Sequence, residues 1–170
     1  VFAAMQEGVV VQGRDGAIIH ANAAAERILG LSADQMAGRT SMDPRWRAEH
    51  EDGSPFPGET HPAMEALATG TSIRETFMAV HRPDGSKALI EINAEPLWSS
   101  GQGASHVVAT FLDVTARKAA EADLRTLAAR VSDLYNNAPC AYHSLDSHGR
   151  YVEINDTELA WLGATRDAVI

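Results

Sequence analysis

The sequence predicts an α+β domain with an antiparallel sheet, followed by a long helix and the opening of a second copy of the domain. Three observations predict this. Residues 8–115 read as two strands, short helices and then three strands. A stretch rich in Ala, Arg, Glu and Leu follows, without Gly or Pro. The chain then repeats its own beginning 133 positions later.

The repeat sets the domain boundaries. Five pairs share the one offset: Gly16 and Gly149, Asn22 and Asn155, Leu29 and Leu162, Gly30 and Gly163, Asp34 and Asp167. A solenoid unit would span only about 20–50 residues. We therefore expect a domain at 1–115, a helical linker at 116–135 and the first part of a second domain at 136–170. Because the chain starts at Val1 and stops inside a repeat, we interpret it as a piece of a longer protein.

The first elements are a hairpin and two short helices. Strands are predicted at 8–13 and 17–21, because apolar runs flank an Asp-Gly turn. The period then becomes helical after Asn22 and stops at Gly30. Ser32 is a candidate N-cap for a second short helix, which ends by Gly38.

The middle of the domain changes from turns to a helix and then to strands. Residues 40–60, which include Asp43-Pro44, are rich in turn formers and are predicted to be irregular. Pro62 suits the first position of a helix over 62–68, which would present Met64 and Leu67. The period-two pattern predicts strands at 73–81, 87–96 and 105–114, joined by turns at 82–86 and 101–103.

The linker carries an apolar seam. Its members step by four and three residues: Ala120, Leu124, Leu127, Val131, Leu134 and Ala138. This spacing favours a parallel dimeric coiled coil. The alternative is one helix that packs on its own domain. The seam covers only about two and a half heptads, so the flanking domains would have to help hold the dimer.

Composition narrows the range of partners. Hydrophobic residues make up 45% of the 170-residue chain and charged residues 22%, as in soluble globular proteins. The net charge of −9 argues against nucleic-acid binding and weakly against contact with anionic membranes. No apolar stretch is long enough to span a bilayer. The single cysteine, Cys140, fits a reducing compartment, so we expect a cytoplasmic location.

Taken together, these motifs resemble the PAS family of sensory domains over 2–116 and again over 134–170. The opening signature is Asp15-Gly16, Ile18 and Asn22-Ala23-Ala24, and the closing one begins at Asp113-Val114-Thr115. The block from Trp46 to Met64 looks like a variant found in bacterial sensor kinases and cyclic-dinucleotide enzymes. The resemblance implies a five-stranded antiparallel sheet with helices over one face, enclosing a small pocket.

The pocket inferred from this resemblance is apolar. Its expected lining is Ile28, Trp46, Met64, Leu67, Met78, Val80, Ile90, Ile92, Ala109 and Phe111, with Trp46 or His61 as a polar contact. Ordinary core packing is the alternative interpretation of every one of these residues. The functional interpretation is a site for a small apolar or amphipathic ligand.

No cofactor is expected in this pocket. The light-oxygen-voltage type of flavin site needs an Asn-Cys-Arg-Phe motif, which the sequence lacks, and the positions that would bond a flavin are the apolar Phe111, Val80 and Ile90. His61 is a weak candidate for a haem ligand because it precedes Pro62 and suits a helix N-cap. No histidine pair has the helical i, i+4 spacing of a metal site.

No catalytic constellation is apparent either. Glu91 and Glu95 alternate with isoleucines and so face away from the core, and the acidic run 49–52 suggests a solvated loop. Asp113 and Thr115 stand where the last strand meets the linker, where an acid and a hydroxyl can cap a helix start. Their expected role is structural or in signal relay.

We therefore predict a regulatory sensor module of a bacterial signal-transduction protein, and no enzyme activity in this chain. The module would form a homodimer through the linker helix and act on a downstream kinase or cyclase domain. Three other functions are weighed: a ligand-free dimerisation or interaction module, a less favoured haem or flavin sensor of redox state or gas, and an enzyme with an unrecognised site. Residues 136–170 lack the later strands of a full domain, so we expect any ordered form of them to pack against another copy of the chain.

Overall fold

The computed structural model describes residues 6–43, 45–98 and 103–170. It divides into two compact units, 1–116 and 117–170, which are described separately. Pro44 and most of the turn predicted at 101–103 lie outside the described residues. Among the described helices, none is both long and apolar enough to cross a membrane.

The first unit is built on one antiparallel sheet of six strands in the order β2-β1-β6-β5-β4-β3. Its strands are β1 Gly8–Gly13, β2 Ile18–Ala21, β3 Ala48–Glu49, β4 Ile73–His81, β5 Lys87–Trp98 and β6 Ala104–Asp113. The first and last strands pair at the centre, where Gly8 lies opposite Phe111. The PAS-like sheet expected from the sequence is therefore present.

Short helices follow the predicted capping signals. They are α1 Ala23–Leu29, α2 Ala33–Met36 and α3 Pro62–Thr69, with a 3₁₀ turn at Gly58–Thr60. Ser32 forms a capping box with Gln35 at the start of α2. Pro62 occupies the first turn of α3, where its missing N–H removes no helical bond. The long helix α4 runs from Thr115 to Asn136.

The short strand β3 was not predicted. Residues 40–60 read as turns throughout, yet Ala48 lies opposite Val80 and Glu49 opposite Ala79 of β4. The backbone N–H of Phe56 also donates to the Ala48 carbonyl at 3.0 Å. These partners come from other parts of the chain, so the local pattern contains no signal for them.

Helix α3 turns a different face inward from the one expected. Ala63 and Ala66 are buried in the core, whereas Met64 and Leu67 are only half-buried. Met64 instead covers the turn of the first hairpin, because a Cβ at Gly16 would lie 2.8 Å from its sulfur. Gly16 also has φ +77°, and it is this left-handed backbone conformation that favours glycine there, because the flexible end of Met64 can shift.

The second unit contains most of α4 and the repeated segment. Its elements are β7 His143–Leu145, β8 Tyr151–Ile154, α5 Asp156–Leu162 and α6 Arg166–Val169. Strands β7 and β8 pair as a two-stranded sheet. Asn155 Nδ2 donates to the carbonyls of Tyr135 and Cys140, both at 3.0 Å. The segment therefore contacts the chain's own α4, and its expected contact with another copy stays a prediction.

The repeat holds at the level of single hydrogen bonds. Asn22 caps α1 by accepting from the Ala25 N–H at 2.8 Å, and it also accepts from Val9 N–H and donates to the Glu7 carbonyl. Asn155 caps α5 and makes the same three bonds, each shifted by 133 positions. The two copies thus share one way of turning from strand to helix.

Candidate functional site

A cavity of about 70 Å³ lies against the helix-covered face of the first unit's sheet. Eight residues that the sequence predicted for a pocket line it: Trp46, His61, Met78, Val80, Ile90, Ile92, Ala109 and Phe111. They come from β4, β5, β6 and the segments between β2 and α3. The inward faces of three neighbouring strands therefore supply most of its apolar wall.

Three predicted lining residues stand elsewhere. Ile28 is buried in the hydrophobic core, but Leu29 takes its expected place at the cavity. Met64 and Leu67 are replaced there by Ala63, because α3 presents its alanines to the sheet. The helical period was read correctly from the sequence, but the rotation of each helix about its axis was not.

The sequence reasoning also missed a polar lining residue. Gln12 lies on β1 in the strand position that follows the buried Val10 by two, and both side chains reach the cavity. Gln12 is only 4% exposed. Because side chains alternate along a strand, a polar residue in register with inward-facing valine was the available signal.

His61 stands at the N-cap position of α3 but does not cap it. Its ring is turned inward, where Nε2 lies 3.1 Å from the Phe56 carbonyl oxygen and the ring meets the edge of Phe56. Burial lowers the pKa of His61, and the Phe56 contact only partly opposes this. The imidazole is therefore neutral near pH 7.

A hydrogen-bonded cluster joins the cavity strands to the start of α4. The Asp113 carboxylate accepts from the Thr115 N–H at 3.0 Å and from the Thr115 hydroxyl at 2.6 Å. The Thr115 oxygen accepts from the Leu89 N–H at 2.9 Å. Arg82 donates to Asp113 at 2.7 Å and to the Ile28 carbonyl at 2.7 Å. We call Arg82, Asp113, Thr115 and Leu89 the junction cluster.

The electrostatic environment of the junction cluster favours the ionised form of Asp113. Partial burial raises the pKa of Asp113, but the hydrogen bonds from Thr115 and Arg82 outweigh it and leave the pKa below its usual value. The side chains of Arg82 and Asp113 are only 21% and 32% exposed. The cluster therefore persists at neutral pH.

The family follows from comparison with known proteins. A family model described as the PAS fold matches residues 2–119. The chain belongs to the PAS family. No curated protein matches it closely enough to be counted as a relative.

The fold is similar to that of solved structures with TM-scores above 0.5. A PAS domain from Colwellia psychrerythraea is 19% identical with a TM-score of 0.52, and the match covers 67% of this chain and 91% of that one. An RNA-binding light-oxygen-voltage receptor is 24% identical with a TM-score of 0.58, covering 75% of this chain and 35% of that one. The PAS domain of nitrogen regulation protein NR(II) from Vibrio parahaemolyticus is 16% identical with a TM-score of 0.48, covering 66% and 93%.

The cavity of this PAS domain is small and mostly apolar. Pockets for drug-sized ligands are usually about 300–1,000 Å³, several times the volume found here. Val80, Ile90 and Phe111 line the cavity with apolar groups at the positions that would bond a flavin. The Nε2 of His61 is already engaged with Phe56. Within 6–43, 45–98 and 103–170, no three His, Cys, Asp or Glu side chains gather as a metal site.

The acidic residues outside the cavity make ion pairs. Glu95 lies 3.2 Å from Arg74 on the exposed surface. Glu49, expected in a solvated loop, is instead half-buried and contacts His81 and Lys87. Hydrogen bonds from Lys87 and His81 lower its pKa. The expectation of a free loop carboxylate was therefore wrong for Glu49, because β3 places it beside β4.

Proposed function

We propose that this PAS domain is a signal-sensing module of a bacterial signal-transduction protein, either a sensor histidine kinase or a cyclic-dinucleotide enzyme. A small ligand in the cavity, or a partner's contact, would bias the start of α4. The helix would then carry the change to an output domain. The observation that carries the proposal is the junction cluster, because it ties two cavity strands to the first residue of α4.

On both strands, a residue that lines the cavity lies within two residues of the junction cluster. Phe111 lines the cavity on β6 and stands two residues before Asp113. Ile90 lines it on β5 and directly follows Leu89, whose N–H bonds to Thr115. A ligand that displaces either wall residue would therefore strain a bond at the helix start. The ligand shifts the equilibrium between two conformational states of the helix start only as far as its affinity differs between those states.

The seam of α4 supports a homodimer as part of this function. Leu124, Leu127, Val131 and Leu134 are 68%, 58%, 57% and 64% exposed, and no residue of the helix is buried. Four large apolar side chains at heptad spacing on one exposed helix are typical of a coiled-coil seam. We propose a second copy of the chain as their partner, with α4 as the shared element.

A ligand-free dimerisation module is the second candidate. The small volume of the cavity favours it, because about 70 Å³ is far below an ordinary ligand pocket. Native mass spectrometry of the chain separates the two functions. A bound mass that denaturation releases supports the sensor, whereas only the bare protein mass in every charge state supports the dimerisation module.

The relay is tested by hydrogen exchange of the 170-residue chain. Replacing Phe111 with Leu changes the cavity wall without touching the junction cluster directly. We expect exchange at the Leu89 and Thr115 amides to rise about tenfold, which corresponds to roughly 1.4 kcal/mol of lost protection. Phe77→Leu is the matched control, since Phe77 lies on β4 and does not line the cavity.

The positions of the amides whose exchange rises in each variant decide whether the relay exists. A rise confined to the junction, and larger in Phe111→Leu than in Phe77→Leu, supports the relay. Equal changes in the two variants, or a uniform rise over all strands of the sheet, would show that the cavity and the helix start are not coupled.

A further inference from the structure

The least satisfied group in the cavity is the amide of Gln12. Its Oε1 is buried and has no hydrogen-bond partner among residues 6–43, 45–98 and 103–170. The side chain is 4% exposed and reaches the cavity from near the end of β1, a strand that pairs on both edges. A buried amide oxygen without a partner is unfavourable and uncommon in folded proteins. This points to an occupant that supplies a hydrogen bond.

The cavity limits the size of that occupant. An apolar cavity of about 150 Å³ accepts benzene, which has six heavy atoms. The cavity here is about 70 Å³, so by proportion it accepts roughly three heavy atoms. A molecule of this size has room for a single polar group, and that group would contact the Gln12 amide.

The lining favours a neutral occupant. Apart from Gln12, most of the wall is aliphatic or aromatic, and burial holds His61 neutral. Arg47 is the cation among the lining residues, and it is exposed rather than enclosed. A carboxylate would therefore lose its hydration without a buried counter-charge. A hydroxyl both donates and accepts, so it pairs with the Gln12 amide in either orientation of the amide.

We propose that the cavity is a site for short-chain alcohols, with the hydroxyl hydrogen-bonded to Gln12 and the alkyl part against Ile90 and Phe111. This rests on the proposed function, in which the cavity is the sensory site, and it names the chemical class that the site selects. An ordered water molecule is the competing occupant, because it also bonds an amide and needs less room.

The test is a titration of the whole 170-residue chain with ethanol, followed by NMR of the isoleucine methyl groups and the glutamine side-chain amides. A three-heavy-atom ligand reaches a Kd of about 0.5 mM at best, so the titration extends to about 100 mM. Sodium acetate is titrated in parallel as the anion of similar size. Gln12→Leu removes the amide, and Gln6→Leu makes the same change at an exposed position.

The expected result is saturable shifts at Ile90 and at the Gln12 amide with ethanol, weakened at least tenfold by Gln12→Leu and unchanged by Gln6→Leu. Gln12→Leu should fold, because an apolar side chain of similar size suits this wall. Ethanol shifts that are linear, or equal in the two variants, overturn the proposal. So does a long-lived water contact at the Gln12 amide that ethanol fails to displace.

The two proposals fail differently. If acetate saturates the cavity at lower concentration than ethanol, the alcohol class is wrong but a ligand site remains. If ethanol binds through Gln12 without altering exchange at Thr115, the alcohol site stands and the relay to α4 is wrong.

Discussion

Arg82→Met should lower the stability of the first unit by about 2–2.5 kcal/mol. The change keeps the aliphatic stem and removes the guanidinium, which bonds Asp113 and the Ile28 carbonyl. A hydrogen bond to a charged group contributes about 1.5–3 kcal/mol when buried. The Asp113 bond belongs at or below the lower end, since its partners are 21% and 32% exposed. The Ile28 carbonyl lies in the last turn of α1 and loses its side-chain donor, which adds about 1 kcal/mol.

Urea denaturation followed by tryptophan fluorescence measures this loss. Trp46, which lines the cavity, is the main reporter in the first unit, because the other tryptophan there, Trp98, is already 62% exposed in the folded state. With a slope of about 2 kcal/mol per molar urea, the midpoint should fall by about 1 M. The slope itself should stay unchanged, because no strand or helix is removed.

Arg74→Met is the matched control. Arg74 also pairs with a glutamate across neighbouring strands, but the two side chains are 71% and 54% exposed. Exposed pairs contribute about 0–1 kcal/mol, so the midpoint should move by about 0.5 M or less. If Arg82→Met and Arg74→Met lower the midpoint equally, the junction cluster stabilises the fold no more than an exposed ion pair does, which would contradict the prediction.

Three further outcomes are expected. Asn22→Ala should lower the unfolding free energy by about 2–4 kcal/mol in urea titrations, since it removes a helix cap and two other backbone contacts, and a loss under about 1 kcal/mol would contradict this. Burial lowers the pKa of His61, so stability should fall as pH drops below about 6.5 and the unfolded chain takes up the proton first; His61→Phe should flatten that slope in thermal melts, and an unchanged slope would refute the assignment. Replacing Leu124 and Leu127 with Glu should halve the mass in light scattering, whereas Ala129→Glu off the seam should not, and an unchanged mass in the double variant would exclude the coiled coil.

Features that depend on neighbours in sequence were predictable. The helix start after Asn22, the N-cap at Ser32 and the helix start at Pro62 each need only three or four residues, and all three stand where the sequence placed them. The strands followed from a period of two for the same reason. The fold could therefore be recognised before any tertiary contact was known.

Features that depend on distant residues were not predictable. Strand β3 needs β4, thirty or so residues away, and its own residues read as turns. Arg82 reaches Asp113 across 31 residues, so only the local partners Asp113 and Thr115 were found from sequence. The cavity residues on strands were placed well because alternation fixes their face, whereas Met64 on a helix was not, because period alone leaves the helix rotation open.

The asparagine corner shared by Asn22 and Asn155 has a consequence for synthesis of the chain. Its three bonds span only 3, 13 and 15 residues in each copy, whereas β1 must wait for β6, where Gly8 meets Phe111. Each nascent copy can thus form the same corner long before its sheet closes. At ribosomal rates of about 5–20 residues per second, the roughly 30 residues between Asp113 and His143 give a delay of about 1.5–6 s. During that interval the β1 strand available to β6 is its own, because β7, the repeat's counterpart of β1, has not yet been made; the order of synthesis therefore disfavours an exchange of strands between the repeated segments.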